Sequence, residues 1–575
     1  MQVLLVHIPI FSKIFLLSKR LLTFGLFLLL GAFIKHTNAT ELRISDEEQL
    51  RQQQRQSALE AQFESKKNDI RITLPQANTE ISLPQESTCF NIKSIDLSGH
   101  EELGQHNTVT TFLKQFTDHC IGAQGIRIIM DALQEIWIAE GMVTTRVLAP
   151  QQDLSRGLLS LIVLPGKIES IRFNASSLNG ASLAFALPLK EGDVLNIRDI
   201  EQGLENLQKP RSVKASFQLV PGSAPGLSHV VVDWAQERKW RLDFSANDTG
   251  SDSTGKYQGS GTLSLDNPFG LSDLLYFSVG NDLHLSNQKK TKNYTLHYSI
   301  PYQYWSLDTT YNEYNYLQTI AGLNTDIAYE GKSKRLQFDI SKVIFRDNQS
   351  KVSMGTGLRL KDSKNYIEGQ EVGVQRRKTA QLAAFLNYNY FANWGSLQAN
   401  INYLKGLNTL GAMPPPESYY SDIDASADII QTQISTSIPF SLLEESMKWK
   451  SHFKGQWSPD RLTTTDLLSI GSRYTVRGFD GRASLAAEKG FYLQNEIAWR
   501  PQNLPIEIYT GVDIGHVSGP SADILAGKTL AGWVVGLNGQ ASSLAYSAFV
   551  GMPIKEPNSN FSSSYTLGFS LSWSM

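Results

Sequence analysis

From Trp240 to Met575 the chain alternates, with apolar side chains at every second position and small or polar ones between them. A period of two predicts strands and excludes helices over this span. In the last segment Tyr565, Leu567, Phe569, Leu571, Trp573 and Met575 alternate with Thr566, Gly568, Ser570, Ser572 and Ser574. The same pattern recurs with Tyr294, Leu296, Tyr298, Ile300 and Tyr302, and with Leu382, Ala384, Leu386, Tyr388 and Tyr390. A soluble sandwich alternates too, but here the apolar set is rich in aromatics and the opposite set is hydrophilic. That combination predicts a transmembrane β-barrel, with lipid outside, water inside and no open sheet edge.

Strand phase then assigns charges to the lumen. In Trp449 to Trp457 the tryptophans and Phe453 take the lipid face, which sends Lys450, His452, Lys454 and Gln456 inward. With Phe491, Leu493, Ile497 and Trp499 outside, Tyr492, Gln494, Glu496 and Arg500 face in; with Ile506, Ile508, Val512 and Ile514 outside, so do Glu507 and Asp513. A charge on the lipid face at mid-membrane costs about 2–4 kcal/mol, so the lumen is where these side chains belong.

Upstream, the pattern changes twice. Residues 87–166 read as a small α+β unit: a strand at Phe90 to Leu97, helices at Thr108 to Phe116 and Gln124 to Ala139, then strands at Thr144 to Leu148 and Leu158 to Leu164. Residues 167–237 read as a degenerate second copy, with strands at Ile168 to Phe173, Val213 to Val220 and His229 to Trp234 around a helix at Ile197 to Leu207 opened by Asn196. Before them, Ser45 to Lys66 within 40–66 predicts a helix that starts on a Ser45/Glu48 capping box and is polar on every side. A helix without an apolar stripe does not belong in a hydrophobic core. It suits an aqueous cavity, and at 1.5 Å per residue it would reach about 33 Å, close to the thickness of a bilayer core. Residues 67–86, with Pro75 and Pro84, read as an extended linker, and 238–575 as the barrel.

Residues 1–39 read as a secretory signal peptide, with Lys13, Lys19 and Arg20 ahead of the apolar run Leu21 to Ile34 and small residues at Thr37 to Ala39. Export makes the two cysteines informative. Cys89 and Cys120 fall in the same small unit, and an oxidising compartment predicts a bridge between them, worth ~3–4 kcal/mol in the chain-entropy account.

Composition narrows the functions. With 53 basic against 55 acidic side chains, the chain offers no electrostatic case for a nucleic-acid partner. It has no P-loop for a nucleotide, no GxSxG, no HExxH or Cys/His cluster, and no paired-carboxylate constellation. No enzyme activity, cofactor or metal is therefore expected. A mean hydropathy of -0.23 beside 21 Tyr, 26 Phe and 10 Trp suits a wall that shows lipid only every second residue.

One loop carries the most specific signal. Between Ser458 and Gly490 stands Val476-Arg477-Gly478-Phe479-Asp480-Gly481, followed two strands later by Tyr509-Thr510-Gly511-Val512-Asp513-Ile514-Gly515. Together with Asn267-Pro268-Phe269-Gly270-Leu271-Ser272-Asp273-Leu274-Leu275, the cysteine pair, and two α+β units after a polar helix, this chain resembles the POTRA-plus-barrel superfamily. It most resembles the two-partner secretion branch, the TpsB transporters of the haemolysin secretion/activation type. The resemblance implies a barrel of 16 antiparallel strands behind two periplasmic POTRA domains and an N-terminal plug helix. The 336 residues from Trp240 give about 21 per strand with its connection, a fitting length. It also implies that the Arg477 loop folds into the lumen and pairs with Asp513, and that a monomeric barrel in the outer membrane of a Gram-negative bacterium exports one large partner. That partner, a haemolysin, adhesin or contact-dependent toxin, would be recognised through its N-terminal secretion domain, with or without activation. An outer-membrane barrel-assembly insertase of the same superfamily is the alternative.

Overall fold

Each alternating strand pairs antiparallel with its neighbour in sequence, and the last returns to the first. A computed structural model of the protein describes residues 44–575 apart from 65–69, 75–79, 105, 176, 178–179, 285–287, 322–324, 420, 503 and 559–560. The signal peptide read at 1–39 and the Lys66 end of the polar helix lie outside the described residues.

The barrel has 16 long strands, from Trp240–Asn247 to Thr566–Ser574, with a short Gln370–Glu371 strand added beside Ser350–Ile367. Closure sets Ser574 opposite Asp243 and Trp573 opposite Phe244, whose rings stack at 5.8 Å. Met575 completes the seam, its N–H donating to Leu242 O at 2.8 Å. The two faces separate as the alternation dictates: Phe338, Ile340, Trp449, Trp457, Leu567 and Trp573 are exposed on the outside, while Thr262, Ser264, Ser278 and Thr295 are buried on the lumen side. Strands at the periplasmic end are joined by tight turns such as Leu443-Glu444, where both residues take positive φ of 52° and 66°, as a two-residue hairpin turn requires.

The first α+β unit buries Ile92, Phe112, Ile129, Leu133, Trp137 and Leu159 around the helices His106–Lys114 and Ala123–Ala139. Here the expected strand Phe90 to Leu97 is two strands. Phe90–Ile92 pairs with His119–Ile121, whereas Ser94–Ser98 runs parallel to Leu158–Leu164. The change of partner falls at Lys93, where the N–H groups of Lys93 and Ser94 both turn to Gly157 O. Cys89 and Cys120 are bonded, with Cα atoms 5.3 Å apart, and tie the first strand pair to the chain entering it. The linker contributes too. Glu86 accepts hydrogen bonds from the N–H groups of Gly122, Gln124 and Gly125 at the start of the helix Ala123–Ala139, which hold its carboxyl below the usual range.

The second unit packs its helix Ile197–Leu207, capped by Asn196 as expected, under the sheet Lys167–Phe173, Leu227–Gln236 and Val213–Pro221. That helix sits on the periplasmic turns. Asn206 donates to Gln303 O at 2.6 Å, the Phe185 and Tyr302 rings meet at 4.8 Å, and Arg346 reaches Glu201, Gln202 and Glu205 at 3.3, 3.0 and 2.8 Å. The linker is caught in this joint. Ile72 N–H donates to Glu201 at 2.6 Å, and Arg346 donates to Ile70 O at 2.5 Å. Buried ion networks of this kind fix geometry more than they add stability.

Candidate functional site

The polar helix spans Ile44–Glu64. Ser45 is already helical in the described span, which opens at Ile44, so it is not the residue that caps the helix. Although it has no apolar stripe, Glu48, Gln49, Leu50, Gln52 and Gln56 are all buried. Glu48 and Gln56 meet the barrel's inner wall. Gln56 accepts from Thr295 and Asn312 at 3.2 and 3.1 Å, Arg55 donates to the Tyr314 hydroxyl at 3.0 Å, and Tyr314 donates to Glu48. Glu48 is further held by Arg51 and Arg55 at 3.0 and 2.7 Å. A helix polar all round can be satisfied on several sides only where the surroundings are themselves polar, and the lumen meets that condition.

The loop between Trp457 and Lys489 is the second occupant of the lumen. It carries a small core of its own, in which the strands Leu468–Ile470 and Leu485–Ala487 pair and Val476 and Phe479 are fully buried beside Val517, Leu530 and Phe561. This core holds the motif in place. Arg477 donates from Nε and Nη2 to the two oxygens of Asp513 at 2.8 and 2.9 Å, and its backbone N–H adds a third bond at 2.8 Å. Asp513 is 0% exposed. Paired, parallel N–H bonds from a guanidinium are the strongest arrangement a carboxylate can receive. Arg477 Nη1 also donates to Glu496 at 2.7 Å, and Lys450 continues the chain to Glu496 at 3.5 Å and Glu507 at 2.5 Å. Of the lumen charges singled out in the sequence, Lys454 stands apart, its charged neighbour being another cation, Arg335.

The remaining motif positions have separate tasks. Gly478 has φ +121°, and a Cβ there would lie 2.6 Å from Met552 O. The wall gives way to match: a Cβ on Gly532 would lie 1.9 Å from Arg477 O, and one on Gly551 2.7 Å from Gly478 N. Gly532 and Gly551 were not singled out from the sequence; their signal was only that inward-facing strand positions lack a side chain. Asp480 accepts from Ser563 at 2.9 Å, and Gly481 O accepts from Arg51 of the helix at 2.7 Å. Two more bonds join helix and loop, Ser472 to Gln54 at 2.8 Å and Gln53 to Thr465 O at 3.4 Å. The loop thus touches the wall on one side and the helix on the other.

The chain matches known proteins along most of its length. Residues 226–539 match the family described as haemolysin secretion/activation protein ShlB/FhaC/HecB, residues 90–166 the ShlB-type POTRA domain and residues 167–221 a POTRA domain. The chain is 30% identical to the outer membrane transporter CdiB-2 of Burkholderia pseudomallei over 93% of its length and 94% of the relative's. It is 27% identical to the haemolysin transporter protein ShlB of Serratia marcescens, over 78% of this chain and 81% of that one. Among solved structures, CdiB from Escherichia coli superposes with a TM-score of 0.85 at 26% identity, covering 94% of this chain and all of that one. The chain belongs to the ShlB/FhaC/HecB haemolysin secretion/activation family, the outer-membrane transporters of two-partner secretion.

Proposed function

We propose that this chain exports a single large exoprotein, recognised in the periplasm through that protein's N-terminal secretion domain and passed unfolded through the barrel. The relatives bear the names of haemolysin transporters and of CdiB transporters, which makes a haemolysin or a contact-dependent toxin the favoured cargo. The observation that carries the reading is the polar helix. A bacterial pore that only leaked solutes would gain nothing from a helix bonded to both wall and loop, whereas a conduit wide enough for a polypeptide must be blocked at rest. In this account the helix Ile44–Glu64 is the plug and Arg477–Asp513 is the latch that seats the loop. The two POTRA units receive the cargo as an extended strand along a sheet edge. No nucleotide site is invoked, so folding of the cargo outside the cell supplies the direction.

Deleting the gene and comparing outer-membrane and secreted proteomes tests the function. Loss of one secreted protein with the barrel proteome intact is the expected result; broad loss of outer-membrane barrels would identify an assembly insertase instead.

A further inference from the structure

The outer wall holds a feature that transport does not use. On the strand Trp305–Ala321 the odd-numbered residues face lipid, beginning with the exposed Trp305 at the periplasmic turn. Ten residues on, Asn315 stands about 25 Å higher for a strand rising ~3.3 Å per residue at a tilt of ~40°. That is about the full height of the apolar band of an outer-membrane barrel. On the neighbouring strand the outward face changes at this level, from the exposed Ile340, Phe338 and Leu336 to Lys334 and Lys332.

Strand register gathers cations there. Lys292 is opposite Asn315, Asn315 opposite Lys332, and Lys332 opposite Lys364, one continuous outward row over four strands. The carboxylates of the row beneath are taken: Glu313 lies 3.9 Å from Lys334, and Asp362 lies 3.5 Å from Lys378. Lys364 comes to 3.8 Å from Glu371. Lys332 lies 5.0 Å over the Tyr366 ring, and among the described residues neither it nor Lys292 has a carboxylate at ion-pair distance. Like charges placed directly opposite in a sheet repel; Glu371 near Lys364 is shared with Arg376 at 3.6 Å, so the row still carries more cations than its own carboxylates balance and suits an anion from outside the chain.

We propose that Lys292, Lys332 and Lys364 bind the phosphate of a phosphorylated lipid head group in the outer leaflet. Lysine serves phosphate as a compact point charge with three donors, and the row lies where a head group lies. Below the paired row of Glu313, Lys334 and Asp362, the apolar wall of Leu336 opposite Leu360 and Phe338 opposite Leu358 gives the acyl chains a surface. That wall commits the site to a lipid and not to free phosphate.

The test uses the full-length protein in mixed detergent micelles titrated with bisphosphorylated lipid A, with the thermal unfolding midpoint as readout. Wild-type protein is expected to gain stability saturably, and K332Q/K364Q to require about tenfold more lipid, while K342Q, at the periplasmic end of the same wall, behaves as wild type. An unchanged titration for K332Q/K364Q overturns the proposal. So does an equal loss in K342Q, which would mean a general charge effect, and so does the same stabilisation by inorganic phosphate at matched concentration.

Discussion

Replacing Arg477 with alanine is expected to reduce secretion of the partner at least tenfold while the barrel still inserts. The substitution strips Asp513 of both guanidinium hydrogen bonds, leaving only the backbone N–H of residue 477, and strips Glu496 of one, at a position where Asp513 has no access to solvent. Removing one partner of a buried pair typically costs about 3–5 kcal/mol, because the other charge is left uncompensated. That penalty falls on the seating of the loop, since the sheet of the barrel wall makes no use of Arg477. Lysine should not rescue: it cannot supply the two parallel N–H bonds that Asp513 receives. Removing both charges in R477A/D513A should cost less loop seating than either single change, since no orphan carboxylate remains. Quantitative immunoblots of culture medium, with heat-modifiability of the barrel as the insertion control, report both quantities. Secretion at the wild-type level in R477A would remove the latch from the account.

The second large effect concerns the helix. Deleting residues 44–64 is expected to raise single-channel conductance in planar bilayers several-fold, since a helix with its side chains fills a cylinder about 10 Å across. The loop stays in place, because its bonds to Asp513, Glu496 and Ser563 are independent of the helix. A deletion variant that conducts like the wild type would show that the helix is not what blocks the pore. The polar contacts also say why withdrawal is feasible. Gln54, Gln56 and Arg51 bond to hydroxyl, amide and carbonyl groups that water can replace at little net cost, unlike an apolar seam.

The barrel was legible because a period of two leaves no freedom: once Trp449 and Ile514 face lipid, Lys450 and Asp513 must face the lumen. The loop motif stood out by its place in a long loop between two clear strands and by the family it resembles. What could not be read was anything decided by closure. Glu496 was visible as a lumen charge, yet nothing along the chain says that Arg477 reaches it as well as Asp513. Gly532 and Gly551 make room for the loop backbone, a role that exists only once two strands and the loop are stacked. The joint of Arg346 with Glu201 and Glu205 links residues more than a hundred positions apart, and each alone is an ordinary charged side chain. In the first POTRA unit the run from Phe90 to Leu97 slips phase at Lys93-Ser94, from Phe90 and Ile92 to Ile95 and Leu97, and the change of strand partner falls at that slip; a single skipped position in so short a run is easily passed over.

On the reading proposed, the space now filled by the helix is the path of the exported chain. A photo-crosslinking amino acid at Asn312, which holds Gln56 at rest, tests it most directly. In cells without the partner it should react with residues of the helix, and during active secretion it should capture the exoprotein in its place. Capture of the helix alone while secretion proceeds at full rate would contradict the account.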